Sequence, residues 1–218
     1  MKKRYIHPYK AYFPHQSKGL IIGTAPGHRF CFREPLKLLE GDIDFFYGSF
    51  QNRFWPVMKK VFEPDSISWL RTKRQCADFL QRHQLAIGDI MAEFYRTGHY
   101  AGDENLQILA ANRDLIHRLG LNKQIDYAFF TSHESLSLFR KSIHQQLLYI
   151  IEAFPDSEMP KVNPKDIFKM KLYDEAGHYY RSITLIVLRS PSPRGVDALA
   201  LLEDYQAKFA LFIQTLRA

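Results

Sequence analysis

Three short, uninterrupted apolar runs constrain the fold of this chain more than any other feature. Candidate strands lie at residues 20–23, 126–130 and 183–188, and stretches with helical periodicity separate them. Continuous apolar character is typical of strands that are covered on both faces, as in a parallel sheet with helices on each side. The alternating segment 168–173 and the segment 179–182, which flank a turn, predict a hairpin that leads into the last strand.

Helical periodicity occupies the chain between and after these strands. Apolar residues recur at three- and four-residue steps in several segments, which predicts helices. These candidate helices cover residues 54–62, 71–83, 104–118, 136–150 and 199–216. A capping box over residues 131–134 is predicted to open the fourth of them. The order of strands and helices predicts an α/β fold, namely a three-layer α/β/α sandwich with a central, mainly parallel four-stranded sheet.

Length and charge set further limits. The chain is compatible with a single domain over residues 1–218, in which residues 1–17 form a basic N-terminal arm. Lys and Arg number 30 against 23 Asp and Glu, so the net charge is +7. This charge favours a polyanion as partner, although many basic proteins bind none. We expect a monomer.

No segment has the features of a membrane span or of a secretory signal. The longest apolar run, at residues 183–188, is far shorter than the roughly 20 residues that a spanning helix needs. Cys31 and Cys76 form no C-x-x-C pair, and the nine histidines show no H-E-x-x-H spacing, so we expect no metal site. Sparse cysteine and the lack of a signal predict a cytoplasmic protein that does not bind membranes.

The loops that follow the predicted strands are where a functional site is expected, because ligands of open α/β sheets bind at the carboxyl ends of strands. These loops are residues 23–29, 131–133 and 189–195, and a fourth segment, 45–56, combines aromatic, amide and basic side chains. The turn Gly-Thr-Ala-Pro-Gly at 23–27 could bring backbone N–H groups to a polar ligand, or it could be a plain tight turn.

Motifs in these loops occur in a recognisable order. Residues 23–27 read G-x-x-P-G, and Tyr47 lies five positions before Asn52, which opens N-x-F-W. The loop Ser-Pro-Ser-Pro-Arg-Gly at residues 190–195 is similar to the form H-P-S-P-R-N. Together these motifs resemble the uracil-DNA glycosylase superfamily, in particular its mismatch-specific and hypoxanthine-removing branches. Residues 87–90 also look like a segment near an aspartate in the hypoxanthine branch.

The resemblance implies a DNA glycosylase, which flips a deaminated base such as uracil or hypoxanthine out of DNA and hydrolyses its N-glycosidic bond without a cofactor. In this role Tyr47 would stack on the base and Asn52 would orient the attacking water. Ser190 stands where the superfamily has a His that stabilises the departing base. Further base-binding residues would be Thr24, Ala25, Thr131 and Ser132, and DNA would contact His28, Ser192, Pro193 and the wedge residue Arg194.

Three positions depart from the motifs of the superfamily. Ala25 stands where the mismatch-specific branch has a water-positioning Asn, Thr24 stands where another branch has a Glu, and Ser190 replaces the usual His. An alternative is therefore a weak or inactive module of the same fold that binds damaged or single-stranded DNA. Asn52 is also compatible with a helix N-cap, and Asp89 with a structural cap or ion pair. A small-molecule hydrolase is a third alternative, but no nucleophile–base pair supports it.

Overall fold

The computed structural model describes residues 2–31, 38–97, 105–144, 147–153, 161–192 and 197–217. Within these ranges the chain forms nine strands and five α-helices. The strands are β1 (Lys2–Ile6), β2 (Gly19–Gly23), β3 (Leu85–Asp89), β4 (Met91–Thr97), β5 (Leu106–Ala111), β6 (Tyr127–Phe130), β7 (Leu148–Ala153), β8 (Ile167–Tyr173) and β9 (Tyr179–Val187). The helices are α1 (Phe54–Phe62), α2 (Lys73–Arg82), α3 (Arg113–Leu121), α4 (His133–Ile143) and α5 (Ala198–Arg217).

The three apolar runs are confirmed as strands β2, β6 and β9, which lie inside a six-stranded sheet. The strand order is β3-β2-β6-β9-β8-β7. The first four strands run parallel, whereas β8 and β7 are antiparallel to their neighbours. The hairpin of β8 and β9 is confirmed, but the expected number of four strands is wrong, because the sheet has six.

The two outer strands of this sheet, β3 and β7, are not predicted from the sequence, and the reasons differ. β3 begins only two residues after α2 ends, with neither glycine nor proline to mark the turn. Leu147 and Ile150 continue the helical spacing of the preceding segment, so the predicted helix 136–150 extends too far. In the structure α4 ends at Ile143, and residues 148–153 form β7, which pairs with β8.

A second sheet contains three antiparallel strands in the order β1-β4-β5. Residues 2–6 of the expected N-terminal arm are its first strand. The helix expected over residues 104–118 is wrong in its first half, because β5 occupies that segment and α3 begins only at Arg113. In β5 the side chain of Ile108 packs towards the core while those of Gln107 and Leu109 are exposed, which is the two-residue period of a strand.

Alternate side chains of the central strands point to opposite faces of the six-stranded sheet, and both faces are covered. Ile21 and Phe129 pack into a buried cluster with residues of α1, α2 and α5. Leu20 and Ile22 pack into a second cluster with residues of α3, α4 and the three-stranded sheet. Because both faces are filled, the edge where the parallel strands end is the place at which connecting loops can form a site.

Three of the expected helices are confirmed as α1, α2 and α5. α4 begins with Ser132 as its N-cap, and the Ser132 hydroxyl accepts a hydrogen bond from the backbone N–H of Ser135 at 3.1 Å. The Ser135 hydroxyl accepts in return from the Ser132 N–H at 3.2 Å. The expected capping box over residues 131–134 is therefore displaced by one residue. This start of α4 sets Thr131 and Ser132 directly after β6.

Candidate functional site

A cavity of about 230 Å³ lies at the carboxyl ends of the parallel strands. Its walls come from the turn after β2, the end of β3, the loop before α1, the start of α4 and the segment after β9. The lining residues are Thr24, Ala25, Pro26, Gly27, Arg29, Phe30, Phe45, Tyr47, Gly48, Ser49, Gln51, Asn52, Asp89, Thr131, Ser132, Ser190, Pro191 and Ser192. Pockets for drug-sized ligands measure about 300–1,000 Å³, so this cavity suits a smaller group.

Most of the residues selected from the sequence line this one cavity. Those that do are Thr24, Ala25, Tyr47, Asn52, Thr131, Ser132, Ser190 and Ser192. His28 is not among the lining residues; it lies in a short 3-10 helix, and its ring packs edge-on against Tyr5 at 5.7 Å between centroids. Pro193 and Arg194 lie outside the described residues. The roles given to these side chains stay predictions.

Tyr47 is held in an unusual backbone conformation at one wall of the cavity. Its φ of 54° lies in the left-handed region, which aromatic residues rarely adopt. Its ring stacks on Phe54 with 4.3 Å between centroids, and its hydroxyl is 2.8 Å from Thr131 Oγ1. A Cβ on the next residue, Gly48, would lie 1.7 Å from the carbonyl oxygen of Ile43. The loop thus fixes the aromatic ring in one position before any ligand binds.

Gly23, the last residue of β2, lets two polar side chains approach the backbone closely. A Cβ at this position would lie 2.1 Å from Tyr47 Oη and 2.2 Å from Asp89 Oδ1. Asp89 is the register partner of Gly23 in the neighbouring strand, so its carboxylate arrives at the same edge. A Cβ on Gly27 would come no closer than 3.6 Å to Phe30. The close approach of side chains therefore requires glycine at position 23 but not at position 27.

Asp89 has a buried histidine partner that no sequence spacing reveals. Asp89 Oδ2 lies 2.9 Å from His7 Nε2, and both side chains are more than nine-tenths buried. Among the lining residues named above, Asp89 is the one carboxylate. His7 follows β1, and the pairing of β1 with β4 brings it to the cavity from far away in the sequence. Only this long-range pairing could have identified it.

Asn52 belongs both to the cavity and to the approach to α1. Its Oδ1 accepts a hydrogen bond from the backbone N–H of Phe54 at 2.9 Å, a local turn that asparagine favours. The N-cap of α1 is the next residue, Arg53, whose backbone N–H donates to the carbonyl of Pro191 at 3.0 Å. The Asn52 oxygen keeps a second lone pair and its amide nitrogen has two donors, so the side chain can still bind a water or a ligand.

An ion pair braces the loop before α1. Arg29 Nε and Nη2 donate to the two carboxylate oxygens of Asp42 at 2.6 and 2.7 Å, and Nη2 also donates to Ser49 Oγ at 2.7 Å. Two backbone N–H groups of the loop donate to the same carboxylate, each at 2.9 Å. Burial raises the pKa of Asp42, but the bonds from Arg29 and the backbone outweigh it, so the pKa lies below its usual range.

We expect Asp42→Asn to lower the free energy of unfolding at pH 7 by about 3 kcal/mol, because Arg29 loses its charged partner. The lowered pKa means that the ion pair stabilises the fold at neutral pH, and that this contribution is lost as the pH falls through the pKa of the folded state. As the pH falls below the usual pKa of an aspartate and then through the lower pKa of the folded state, the variant should therefore lose less stability than the wild type. Urea unfolding at each pH measures both effects.

The control for this prediction is Asp65→Asn, which changes an exposed carboxylate between α1 and α2. This variant should follow the wild type at every pH. The assignment is contradicted if Asp42→Asn unfolds at the wild-type urea concentration, or if its stability falls with acid as steeply as that of the wild type.

A second ionic cluster supports two other segments that line the cavity. Lys208 of α5 is buried, and its Nζ lies 2.7 Å from Asp204 and 3.0 Å from Asp166. The Asp204 carboxylate accepts the backbone N–H of Arg189 at 2.9 Å, and that of Asp166 lies 2.9 Å from His133 Nε2. The cluster therefore joins α5 to the segment after β9 and to the start of α4, both of which line the cavity.

Within the ranges that the structure describes, no group of three His, Cys, Asp or Glu side chains is arranged to hold a metal ion. In the same ranges, no helix is both long enough and apolar enough to cross a membrane. Cys31 lies beside the turn after β2, and burial raises the pKa of its thiol to about 11. This side chain is therefore a thiol at neutral pH and a weak nucleophile.

Similarity to known proteins is found among solved structures. No model of a known protein family matches the sequence, and no curated protein matches it. Among solved structures, the chain is similar to the solution NMR structure of a "putative Uracil DNA glycosylase from Methanosarcina acetivorans". The two share 12% identity with a TM-score of 0.48, and the match covers 93% of this chain and 95% of that chain. A likeness at this level gives no residue a role, so the functional argument depends on the cavity.

Proposed function

We propose that this chain is a DNA glycosylase of the uracil-DNA glycosylase superfamily, which hydrolyses the N-glycosidic bond of uracil or hypoxanthine flipped out of DNA. The observation that carries the proposal is the convergence of distant motif residues on one cavity, among them Thr24, Tyr47, Asn52, Thr131 and Ser190. The resemblance was drawn from the residue types in these loops, whereas their convergence is a property of the fold. Agreement between the two supports the glycosylase function.

The cavity has the chemistry that a flipped base requires. Tyr47 brings an aromatic side chain to the wall of the cavity, and stacking of such a ring on a base contributes about 1–3 kcal/mol. Hydroxyl and amide groups of Thr131, Ser132 and Asn52 offer donors and acceptors to the edge of the base. Flipping costs a few kcal/mol, which the stack and these hydrogen bonds offset.

DNA is the partner that this function requires, and the charge of the chain agrees with it. The net charge is +7, and the partly exposed Arg29 lines the cavity. The segment from Ser190 to Ser192 also lines the cavity, and Arg194, the residue proposed as the wedge, comes two positions later in the sequence. Such a side chain fills the gap that a flipped base leaves in the duplex.

We expect Asn52→Ala to slow base release by about 10²-fold, because one oriented polar group beside the reacting water is lost. The measurement is release of base from oligonucleotides that each carry one uracil or one hypoxanthine, in single-stranded and duplex form. Asn122→Ala is the matched control, since Asn122 Oδ1 accepts a local hydrogen bond from Gln124 at 3.0 Å and is not a lining residue. This control should keep the wild-type rate.

Two outcomes of this assay would contradict the proposal at different levels. Full activity of Asn52→Ala would remove Asn52 from the reaction but leave the glycosylase function standing. No release by the wild type from any of these substrates would contradict the glycosylase function itself.

One observation favours a second function, a binding module without catalysis. Ala25 lines the cavity with a methyl group where a related branch has a water-positioning Asn, and Ser190 replaces a His. Tight, salt-dependent binding of lesion DNA without release of base would select this second function.

A further inference from the structure

General-base catalysis of N-glycosidic bond hydrolysis uses a side chain that accepts a proton from the attacking water, and residues 23–27, Asn52 and Ser190 offer no such side chain. Ala25 is apolar, and the hydroxyl of Thr24 is not a base at neutral pH. The amide of Asn52 is a poor base, and its oxygen already accepts the N–H of Phe54. A general base of this site would therefore be a different residue of the cavity.

Among the described residues that line the cavity, Asp89 is the one carboxylate. Its Oδ1 lies beside the backbone of Gly23, at the place where the missing Cβ would otherwise stand, and its Oδ2 faces His7 at 2.9 Å. The two oxygens thus have different surroundings, because one meets the strand end and Tyr47 while the other is held by the imidazole. His7 thus holds the carboxylate at Oδ2, and the Asp89 side chain lines the cavity.

His7 can hold this carboxylate without turning its ring. Because Nε2 faces a carboxylate, it carries a proton when Asp89 is ionised. Nδ1 lies 3.1 Å from the backbone N–H of Tyr9 and 2.8 Å from the Tyr9 carbonyl oxygen. These backbone contacts of Nδ1 fix the orientation of the ring in which Nε2 faces the carboxylate. The rings of Tyr9 and Phe46, at 5.9 and 5.6 Å, pack around the imidazole.

We propose that Asp89 is the catalytic general base of this site and that His7 is the residue that positions it. The inference rests on the glycosylase function proposed above. A carboxylate here serves the reaction twice, because it accepts the proton of the attacking water and its negative charge faces the positive charge that develops on the sugar.

The proposed step balances with water as its only co-substrate. The water oxygen bonds to C1′ of the deoxyribose while the bond from C1′ to the base nitrogen breaks, and its electron pair leaves with the base. The water proton passes to Asp89, which later returns it to solvent. The departing base takes a proton from solvent, so the products are the neutral base and an abasic sugar.

The first test is Asp89→Asn, which removes the charge but keeps the size of the side chain and an oxygen for the His7 N–H. We expect the single-turnover rate of base release to fall by about 10²–10⁴-fold. Binding of lesion DNA should stay close to that of the wild type, because the loss concerns the transition state. Asp174→Asn, in the exposed pair with His178 at the β8–β9 turn, is the matched control and should keep both values.

The second test separates positioning from folding. His7→Ala leaves the carboxylate without its hydrogen-bond donor. We expect the single-turnover rate to fall by about 10²-fold, with little change in the concentration at which this rate is half-maximal. His7→Gln supplies an amide N–H to the same carboxylate, so it should recover most of the rate. A merely structural role would lower the thermal midpoint of His7→Ala without such a selective loss of rate. This pair also keeps the proposal testable if Asp89→Asn fails to fold.

A third readout needs no turnover. An oligonucleotide with a cationic pyrrolidine in place of the lesion sugar mimics the developing positive charge, and a tetrahydrofuran is its neutral counterpart. The wild type should bind the cation at least about tenfold more tightly, as expected of a transition-state mimic, and Asp89→Asn should lose that preference.

The outcomes distinguish the two proposals. If the wild type releases base and Asp89→Asn releases it equally fast, or if the preference for the cation survives in Asp89→Asn, only the role of Asp89 is overturned. If His7→Gln is as slow as His7→Ala, the positioning role of His7 is overturned. If the wild type releases no base from any lesion, the glycosylase function fails and this inference fails with it.

Discussion

Gly23→Ala is expected to slow base release by about 10³-fold in a chain that still folds. The added Cβ would lie 2.1 Å from Tyr47 Oη and 2.2 Å from Asp89 Oδ1, and both atoms are the ends of side chains. Such ends can move without displacing the backbone, so the fold survives while the cavity changes. The stacking ring and the proposed base move together, which is why the expected effect exceeds that of either group alone.

The matched control for this prediction is Gly27→Ala in the same turn. Its Cβ would meet only the ring of Phe30, at 3.6 Å, which is ordinary van der Waals contact. We expect this variant to release base at close to the wild-type rate. The single-turnover rate and the thermal midpoint of both variants measure the effects on activity and on folding. A Gly23→Ala variant with wild-type activity would contradict the placement of Tyr47 and Asp89 in the site.

Gly48→Ala is expected to have the largest effect on stability. A Cβ there would lie 1.7 Å from the carbonyl oxygen of Ile43 and 2.8 Å from that of Phe45, so the backbone of the loop itself must shift. We expect the free energy of unfolding to fall by about 3 kcal/mol or more. For a chain of this size the thermal midpoint should fall by roughly 6–12 °C.

The same variant should also lose base release, because the loop that it disturbs carries Tyr47 and Asn52. Gly27→Ala again serves as the control, since it adds the same methyl group to a lining residue without overlap. Thermal unfolding followed by circular dichroism measures the difference. A Gly48→Ala midpoint within error of the wild type would show that this loop does not have the conformation described.

The centre of the fold is predictable from the sequence because strands buried on both faces must be apolar throughout. Leu20, Ile21 and Ile22 fill both core clusters from one strand, which leaves no polar position in the run. α5 is predictable for a related reason, since Tyr205, Phe209 and Phe212 repeat at helical spacing and are all buried. In these elements the local pattern of apolar residues directly predicts which side chains are buried.

The outer strands are not predictable in this way, because their burial depends on partners that are distant in the sequence. Leu148 and Ile150 are exposed in the edge strand β7, so their apolar character fits a helix as well as a strand. Lys2–Ile6 is mainly polar and becomes a strand only by pairing with β4. A local pattern contains no information about such pairing.

In the candidate site, too, some residues are predictable from the sequence and others are not. The rule that ligands bind at strand ends predicts that Thr24, Thr131 and Ser190 lie together, and the motif resemblance adds Tyr47 and Asn52. In the structure these residues line one cavity. The rule does not reveal that Arg29 braces Asp42 or that His7 meets Asp89, because these contacts join residues with no common motif. Supporting contacts of this kind require the coordinates.

The central claim is that the cavity receives a base flipped out of DNA. A crystal structure with an oligonucleotide that carries a 2′-fluoro analogue of the preferred lesion, which resists cleavage, tests it most directly. We predict that the base lies against Tyr47 with its edge at Thr131 and Ser132, and that C1′ faces Asp89. A lesion base that stays stacked in the helix, or a DNA strand bound on another surface with this cavity unused, would contradict the account.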